Sequence, residues 1–209
     1  MNQIYFTADL HFGHSSILKH ARKRPYSDTV DIVAHDAWLL DLWCSTVDKQ
    51  DTVYILGDLT FLKSEEARML LEKMPGRKFL IEGNHDGSIS AYRNYFKGVY
   101  QIKEMRFKPT AAPFLKEDFN VVMCHYPMVT WNHKPAGSVM LHGHCHGKLD
   151  DFNAQSTDLR FDVGIDGSLA NLRLLTLADI YNAATEKITQ SNCRSFAEYA
   201  MNNYKEDVR

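Results

Sequence analysis

Three short hydrophobic segments in the first half of the chain predict buried strands. They are IYFTA from Ile4, TVYIL from Thr52 and KFLIE from Lys78, and each is rich in β-branched and aromatic residues. Helical patterns separate them: DIVAHDAWLLDLWCSTV carries a hydrophobic stripe, and SEEARMLLEKM begins with a Ser64 cap and stops at PG. This order of strands and helices predicts a parallel sheet with crossover helices.

The second half of the chain has a different pattern. GVYQIKEMRF, FNVVMCHY, SVMLHGH and LRFDVGID are strand-like with no long helix between them, which predicts a more antiparallel second sheet. Segment 108–118, KPTAAPFLKED, is typical of a hairpin loop. Two helices follow, TLADIYNAATEKI from Thr176, with Asp179 completing a capping box, and RSFAEYAMNNY. We expect one domain over residues 1–209, with 176–209 as a C-terminal helical extension.

Composition narrows the class of protein. The 209 residues are 44% hydrophobic and 24% charged, which is ordinary for a soluble globular protein, and no segment is long and apolar enough to span a bilayer. The amino terminus lacks a signal-peptide pattern, so we expect a cytoplasmic protein. A formal charge of -2 does not favour nucleic acid as a partner. Four scattered cysteines without a CxxC pair indicate neither a disulfide framework nor a thiolate zinc site.

Residues that can bind metal recur directly after the predicted strands. They are Asp9, His11, His14, Asp58, Asn84, His85, Asp86, His125, His144 and His146. Because parallel strands end at one edge of a sheet, the first seven should meet in one crevice. Imidazole, carboxylate and amide donors suit manganese, iron, zinc or magnesium. The donors are too many for one tetrahedral ion, but two ions about 3.5–4 Å apart would use them all and would generate a bridging hydroxide for in-line attack.

Five short motifs occur in order: DxH at Asp9 and His11, GD at Asp58, GNHD at 83–86, a lone His125, and GHxH at 143–146. Each residue alone has an ordinary interpretation, such as a helix cap or a turn residue. Together the motifs resemble the calcineurin-like metallophosphoesterases of the small type without a cap domain, over residues 4 to about 166. The resemblance implies an α/β fold in which two mixed β-sheets pack as a sandwich with helices on the outer faces.

The resemblance also implies a metal-binding role for seven of these residues. Two divalent ions are expected, with Mn²⁺ first and Fe, Zn²⁺ or Mg²⁺ as alternatives. One ion would be held by Asp9, His11 and His146, and the other by Asn84, His125 and His144. Asp58 would bridge the two ions, because one carboxylate has two oxygens.

Two further residues of the GNHD motif are expected to be catalytic. By resemblance, His85 would face the substrate phosphate, where it stabilises the transition state or protonates the leaving oxygen. Asp86 would hydrogen-bond the imidazole of His85 and hold its tautomer. A turn residue before Gly87 is an equally good interpretation of Asp86.

Alternation along LHGHCHG predicts how its side chains divide. On extended backbone, His144 and His146 would point together toward the metals, one to each ion, while Cys145 would point away. Gly143 would let the backbone come close to the site, and His142 would have a supporting or structural role.

Two features outside the motifs are weaker candidates for binding substrate. His14 could return to the mouth of the pocket through a reversal at Gly13, or it could be a core or loop histidine. The basic run KHARKR at 19–24 is either a solvated helix face or a rim that steers phosphate, and it could deliver Arg24 to the substrate. For Arg24 the structural role is the simpler hypothesis.

The function predicted from these residues is hydrolysis of a small phosphorylated substrate: a phosphodiester, a phosphomonoester or a nucleotide. One alternative is a catalytically silent metal-binding scaffold that docks other proteins. A nuclease is the other, although the chain lacks the aromatic and basic channel that binds polymers tightly. No membrane association is expected, and the oligomeric state is not indicated.

Overall fold

Two β-sheets and six α-helices are present in the computed structural model, which describes residues 2–87 and 89–204. The strands are β1 (Ile4–Thr7), β2 (Thr52–Ile55), β3 (Arg77–Ile81), β4 (Gly98–Tyr100), β5 (Ile102–Phe107), β6 (Phe119–Cys124), β7 (Val139–His142), β8 (Arg160–Asp162) and β9 (Leu175–Thr176). The helices are α1 (Ile17–His20), α2 (Ile32–Thr46), α3 (Ser64–Lys73), α4 (Asp150–Gln155), α5 (Leu177–Gln190) and α6 (Phe196–Asn203). Met1, Ser88 and residues 205–209, the last part of the expected C-terminal extension, lie outside the described residues.

The first sheet has the strand order β4-β3-β2-β1-β9, and β1 to β4 run parallel. Helix α2 connects β1 to β2, and α3 connects β2 to β3, so the predicted parallel sheet with crossover helices is confirmed. The three central strands are in register, with Phe6 beside Tyr54 and Tyr54 beside Phe79. Their carboxyl ends therefore finish at one edge of the sheet.

The second sheet has the order β5-β6-β7-β8 and is more parallel than the sequence pattern predicts. Strands β5 and β6 form the expected antiparallel hairpin around segment 108–118, but β6–β7 and β7–β8 pair in parallel. The expectation of a more antiparallel sheet is wrong for these two pairs, because segments 125–138 and 143–159 are long enough to cross over without a long helix.

The segment GVYQIKEMRF forms two strands where the pattern predicts one. Strand β4 ends the first sheet beside β3, and β5 begins the second sheet beside β6. Only the exposed Gln101 separates them, with its amide donating to Glu82 at 2.6 Å. The chain therefore passes from one sheet to the other within a continuous strand-like pattern, which alternation alone does not reveal.

Alternate residues of β1 face opposite sides of the first sheet. Phe6 belongs to a hydrophobic cluster that also contains Val121 and Leu141 of the second sheet. Tyr5 belongs to a cluster formed with α2 and α3, which includes Trp43 and Leu70. Two mixed sheets therefore pack face to face, with α2 and α3 on the outer face of the first sheet, in the α/β fold that the resemblance implies.

Polar contacts at the first turn define where the long helices begin. Helix α5 has the predicted capping box, in which Thr176 Oγ1 accepts from Asp179 N at 3.1 Å and Asp179 accepts from Thr176 N at 2.8 Å. Helix α3 begins one residue earlier than expected, with Lys63 at the cap position and Ser64 already helical. The Lys63 N–H donates to Glu66 at 3.1 Å, so the side chain of the third helical residue caps this helix.

Helix α6 is tied to the segment that precedes β8 by two tyrosine hydroxyls. The buried Tyr204 hydroxyl donates to the Thr157 carbonyl at 2.7 Å and accepts from Leu159 N at 3.2 Å. The Tyr199 hydroxyl donates to the same carbonyl at 2.6 Å. The two C-terminal helices also contribute to the cluster between the sheets. Over the residues that the structure describes, no helix has the length and hydropathy to cross a membrane.

We predict that Tyr204→Phe lowers the free energy of unfolding by about 1–3 kcal/mol, because it leaves the buried Leu159 N–H without its acceptor. Urea unfolding followed by circular dichroism measures this. The control is Tyr95→Phe, which removes a 2.6 Å hydrogen bond to Glu72 at an exposed site and should cost less than about 0.5 kcal/mol. Equal stabilities of the two variants would contradict the prediction.

Candidate dinuclear metal centre

The loops after the strands of both sheets meet at one edge of the sandwich. Asp9 follows β1 and Asp58 follows β2. A backbone hydrogen bond of 3.0 Å from His11 N to Asp58 O joins their loops. His125 follows β6 and accepts at its carbonyl from Gly143 N, also at 3.0 Å. These bonds bring donors from distant parts of the sequence to one place.

The first group of donors consists of Asp9, His11 and His146, whose ligand atoms lie within 4.8 Å of one another. Two of these atoms, Asp9 Oδ2 and His11 Nε2, are buried without any hydrogen-bond partner among the described residues. Burial, followed by repulsion from Asp162, raises the pKa of Asp9 well above its usual value. A cation would satisfy both orphaned atoms and offset the crowding of carboxylates, so this group fits a divalent metal.

The second group consists of Asp58, His125 and His144, again with ligand atoms within 4.8 Å. The His125 Nδ1–H donates to the Leu56 carbonyl at 2.7 Å, which leaves the lone pair on Nε2. That Nε2 lies 3.0 Å from Asn84 Oδ1, so two acceptors face each other. A cation between the two atoms would resolve this arrangement, so Asn84 is a further candidate ligand beside the second group.

One oxygen of Asp58 lies between the two groups. Asp58 Oδ2 is 3.6 Å from His11 Nε2 and 3.6 Å from His125 Nε2. Both distances are too long for good hydrogen bonds, and both nitrogens belong to candidate ligands. The other oxygen, Oδ1, accepts from the His85 backbone N–H at 3.0 Å. Asp58 therefore faces both groups, which is the position that a bridging carboxylate would need.

Five of the candidate ligands have left-handed backbone conformations, although none is glycine. They are Asp9, His11, Asp58, His144 and His146, with φ between 49° and 69°. Asp and His tolerate this region better than most residues, but each such residue still costs on the order of 1–3 kcal/mol. Strain concentrated on the ligands of one site indicates that the site is under functional constraint.

The LHGHCHG segment contributes a histidine to each group, but its backbone conformation differs from the extended one that was expected. Strand β7 ends at His142, and His144 and His146 have φ of 69° and 49°, so the extended alternation behind the prediction is wrong. They nevertheless join different groups, as expected. Cys145 joins neither, and burial followed by Asp162 raises the pKa of its thiol to about 11, which disfavours the thiolate that metals bind.

The two residues beside these histidines act as expected. A Cβ on Gly143 would lie 2.8 Å from Asp9 Oδ2, so only glycine allows this approach to the site. His142 is buried, with Nδ1 at 2.8 Å from the Gly143 carbonyl and Nε2 at 3.1 Å from the Asn153 amide. His142 is therefore structural.

Asp166, which the motifs do not include, orients His146. His146 Nδ1 lies 2.7 Å from Asp166 Oδ2, so the imidazole donates there and leaves Nε2 for a metal. Although burial opposes ionisation, hydrogen bonds from Arg24 and His146 hold the pKa of Asp166 below its usual value. Asp166 follows β8 as the ligands follow their strands, and this position was the signal available in the sequence.

Arg24 is buried, which supports the structural role that the sequence favoured over contact with substrate. It is only 2% exposed, and its guanidinium donates to both oxygens of Asp166 at 2.7 Å. It also donates to the carbonyls of Asp9 at 2.5 Å and Leu10 at 2.9 Å. Its charge is therefore used inside the protein, where it secures the loop of one ligand and the orienting partner of another.

The carboxylate of Asp86 accepts hydrogen bonds from backbone N–H groups and not, as the resemblance implies, from the imidazole of His85. Its Oδ2 accepts from Asp58 N and Gly83 N, both at 2.8 Å, and Oδ1 accepts from Leu59 N at 3.1 Å. Burial raises the pKa of Asp86, while these three donors oppose the shift. Asp86 thereby holds together the loops that follow β2 and β3.

An aromatic group flanks the metal ligands. His14 stacks on Phe61 with ring centroids 3.8 Å apart, and the exposed His85 lies 4.7 Å from the same ring. His14 Nδ1 is also 3.2 Å from His11 Nδ1. Burial, followed by the nearby His85, lowers the pKa of His14. The structure thus brings His14 and His85 to the same side of the first metal group.

A family model described as calcineurin-like phosphoesterase matches residues 3–179. The chain belongs to this family, which implies metal-dependent hydrolysis of phosphoesters. A solved structure of a protein of unknown function from Aquifex aeolicus has a TM-score of 0.64 at 20% identity, and the match covers 88% of this chain and 100% of that chain. This likeness shows the shared fold.

Three relatives align with this chain over 88 to 172 residues, and none of their names states an activity. The Gene 66 protein of Mycobacterium phage L5 is 31% identical over 172 residues, which is 71% of this chain and 80% of the phage protein. The Gene 66 protein of Mycobacterium phage D29 is 32% identical over 170 residues, 71% of this chain and 81% of that protein. An uncharacterized protein of Methanocaldococcus jannaschii is 39% identical over 88 residues, covering 41% of this chain and 48% of that protein.

We predict that Arg24→Met lowers the free energy of unfolding by about 3–5 kcal/mol, because it leaves the Asp166 carboxylate buried without its ion-pair partner. Urea unfolding of the metal-free protein measures this. Arg22→Met, two residues away at an exposed position, should change stability by less than about 0.5 kcal/mol. If the Arg24 variant instead has unchanged stability and a raised KM, the hypothesis that Arg24 contacts the substrate is favoured.

Proposed function

We propose that this protein hydrolyses small phosphate esters, namely phosphodiesters, phosphomonoesters or nucleotides, at the candidate dinuclear centre. The observation that carries the proposal is the position of Asp58 Oδ2, 3.6 Å from an imidazole nitrogen of each group. A carboxylate that faces both groups suits a pair of ions that act on one phosphate. Membership of the phosphoesterase family supports the same chemistry.

The proposed ligand sets follow the two groups. One ion would be held by Asp9, His11 and His146, the other by Asn84, His125 and His144, with Asp58 shared. We propose Mn²⁺, because neutral imidazoles, carboxylates and an amide oxygen suit a borderline-hard divalent ion. Bound there, the ions supply Lewis acidity toward the phosphate and activate water for attack. Burial, followed by repulsion from His146, lowers the pKa of His11 to about 2, and a neutral imidazole is the form that binds metal.

His85 is the proposed proton donor to the leaving oxygen. Its backbone N–H is bonded to Asp58 Oδ1 at 3.0 Å, which anchors the residue beside the bridging carboxylate. Its ring is exposed, rests against Phe61 at 4.7 Å and lies 5.8 Å from the ring of His11. An imidazole that is outside the ligand groups yet beside them can move toward a phosphate and donate a proton there.

His14 is proposed to contact the substrate phosphate. Its Nδ1 faces His11 Nδ1 at 3.2 Å, and its ring is stacked on Phe61. If His11 binds metal through Nε2, its Nδ1–H donates to His14 Nδ1, and the remaining proton of His14 is on Nε2. His14 would then offer a hydrogen-bond donor to an anion without carrying charge itself.

We predict that the protein hydrolyses p-nitrophenyl phosphate or bis-p-nitrophenyl phosphate with added Mn²⁺, and that His85→Asn lowers kcat by about 10²–10⁴-fold through loss of the proton donor. Release of p-nitrophenol measures the rate, and elemental analysis should find two bound ions in both proteins. His133→Asn is the matched control, because His133 is exposed and Asn tolerates its φ of 58°.

Other results would oppose the proposal. Two bound ions without turnover of either ester or of a wider phosphoester panel would favour the metal-binding scaffold. Turnover that is confined to DNA or RNA, with affinity falling steeply as salt rises, would favour the nuclease. An unchanged rate in His85→Asn would remove the assigned role of His85.

A further inference from the structure

A cavity of about 280 Å³ adjoins the first metal group. One of its lining residues, His146, also belongs to that group. Its lining includes His20, Arg22, Lys23 and Lys148, together with His146 and Asp166. Part of the basic run 19–24 therefore faces a cavity beside the metal centre and is more than a solvated helix face.

The cations of this cavity are not neutralised by the protein. Among the hydrogen bonds and ion pairs of the described residues, none involves the side chains of Arg22, Lys23 or Lys148. Of the two carboxylates at the cavity, Asp166 is paired with Arg24, whereas Asp150 accepts from the neutral Ser168 N–H at 2.7 Å and keeps its charge. Arg22, Lys23 and Lys148 still outnumber this one carboxylate, so the cavity has a net positive charge and an anion is the complementary ligand.

The backbone holds these cations at a defined place relative to the metal centre. The buried Arg24 anchors its loop to Asp166 and to the carbonyls after β1, so Arg22 and Lys23 are held at the cavity although they are exposed. Lys148 follows the ligand His146 by two residues, across Gly147 with a φ of 74°. Both sides of the cavity are therefore attached to residues of the first metal group.

We propose that this cavity is a subsite for a second phosphoryl group, carried by the substrate next to the phosphate that is hydrolysed. The proposal rests on the proposed function and narrows its substrate class to compounds with neighbouring phosphates. A volume of about 280 Å³ is at the small end for ligand pockets, so it suits one charged group and not a whole nucleotide. Nucleoside polyphosphates and polynucleotide strands both carry such a group.

The test compares wild type with the triple variant Arg22→Gln, Lys23→Gln and Lys148→Gln, which replaces three cations with neutral polar side chains. For substrates with a second phosphate we expect kcat/KM to fall about tenfold, mostly through KM, because three partly exposed charge contacts are lost. For bis-p-nitrophenyl phosphate, which has one phosphate, the change should stay within about twofold. Lys19→Gln, in the same basic run but outside the cavity lining, is the control and should leave both unchanged.

Two substrate pairs distinguish the sources of the second phosphate. Thymidylyl-thymidine with and without a 5′-phosphate represents a strand, and thymidine 5′-diphosphate and 5′-monophosphate represent nucleoside polyphosphates. A selective loss in the first pair assigns the subsite to a strand, and a selective loss in the second assigns it to a polyphosphate. Equal losses for every substrate, or no loss in either pair, would overturn the subsite.

A binding measurement separates failure of the subsite from failure of the proposed function. If wild type hydrolyses none of these compounds, the proposed function fails. Calorimetry of inorganic pyrophosphate with the chelator-treated protein then tests the subsite, and the triple variant should bind it about tenfold more weakly than wild type and Lys19→Gln. Equal affinity in all three proteins would reject the cavity as a phosphate site.

Discussion

The buried ion pair between Arg24 and Asp166 is the interaction on which the geometry of the site depends most. It joins residues 142 positions apart, with two bonds of 2.7 Å, and it links the segment after β1 to the segment after β8. Asp166 uses the same carboxylate to orient His146, while Arg24 also holds the carbonyls of Asp9 and Leu10. Because such a pair is costly when one partner is lost, it constrains both segments together. A single contact therefore positions two candidate metal ligands and the basic residues beside them.

Buried hydrogen bonds hold the strained backbone of the candidate ligands in place. Five ligands have positive φ, and a loop in that conformation persists only when its surroundings determine it strongly. Asp86 fixes the loops after β2 and β3, because its carboxylate accepts hydrogen bonds from three backbone N–H groups. Asp9 connects the loops of the two sheets by accepting from His144 N at 3.0 Å. The carboxylates of the site thus serve partly as backbone acceptors, and this is why several of them are buried close to one another.

The sequence predicts well which candidate donors come together and predicts poorly the residues that support them, for a physical reason. Parallel strands end at one edge, so strand patterns followed by Asp, Asn or His were enough to bring Asp9, Asp58 and Asn84 together. The sequence left Arg24 between contact with substrate and a structural role, and left Asp86 between the imidazole of His85 and a turn. It could not decide because a charged residue in a polar run gives no sign of being buried, and its partner can be anywhere in the chain. Strand direction in the second sheet failed for a related reason: crossover loops without long helices resemble hairpin loops in their hydrophobic pattern. Long-range pairing, such as that of Arg24 with Asp166, has no local signature.

The site has two parts with different sequence signatures, and this bears on what motifs can reveal about substrate. The ligands lie in short motifs at strand ends, because metal coordination requires particular side chains at particular backbone turns. The cavity beside His146 is lined by Arg22, Lys23 and Lys148, which come from two separate loops and form no motif. Several arrangements of flexible cationic side chains can bind a phosphate. A site of this kind therefore requires basic residues but no fixed spacing between them in the sequence. Under the proposed function, the motifs report the reaction at one phosphate, whereas discrimination among phosphoesters would depend on side chains around it that only the folded chain brings together.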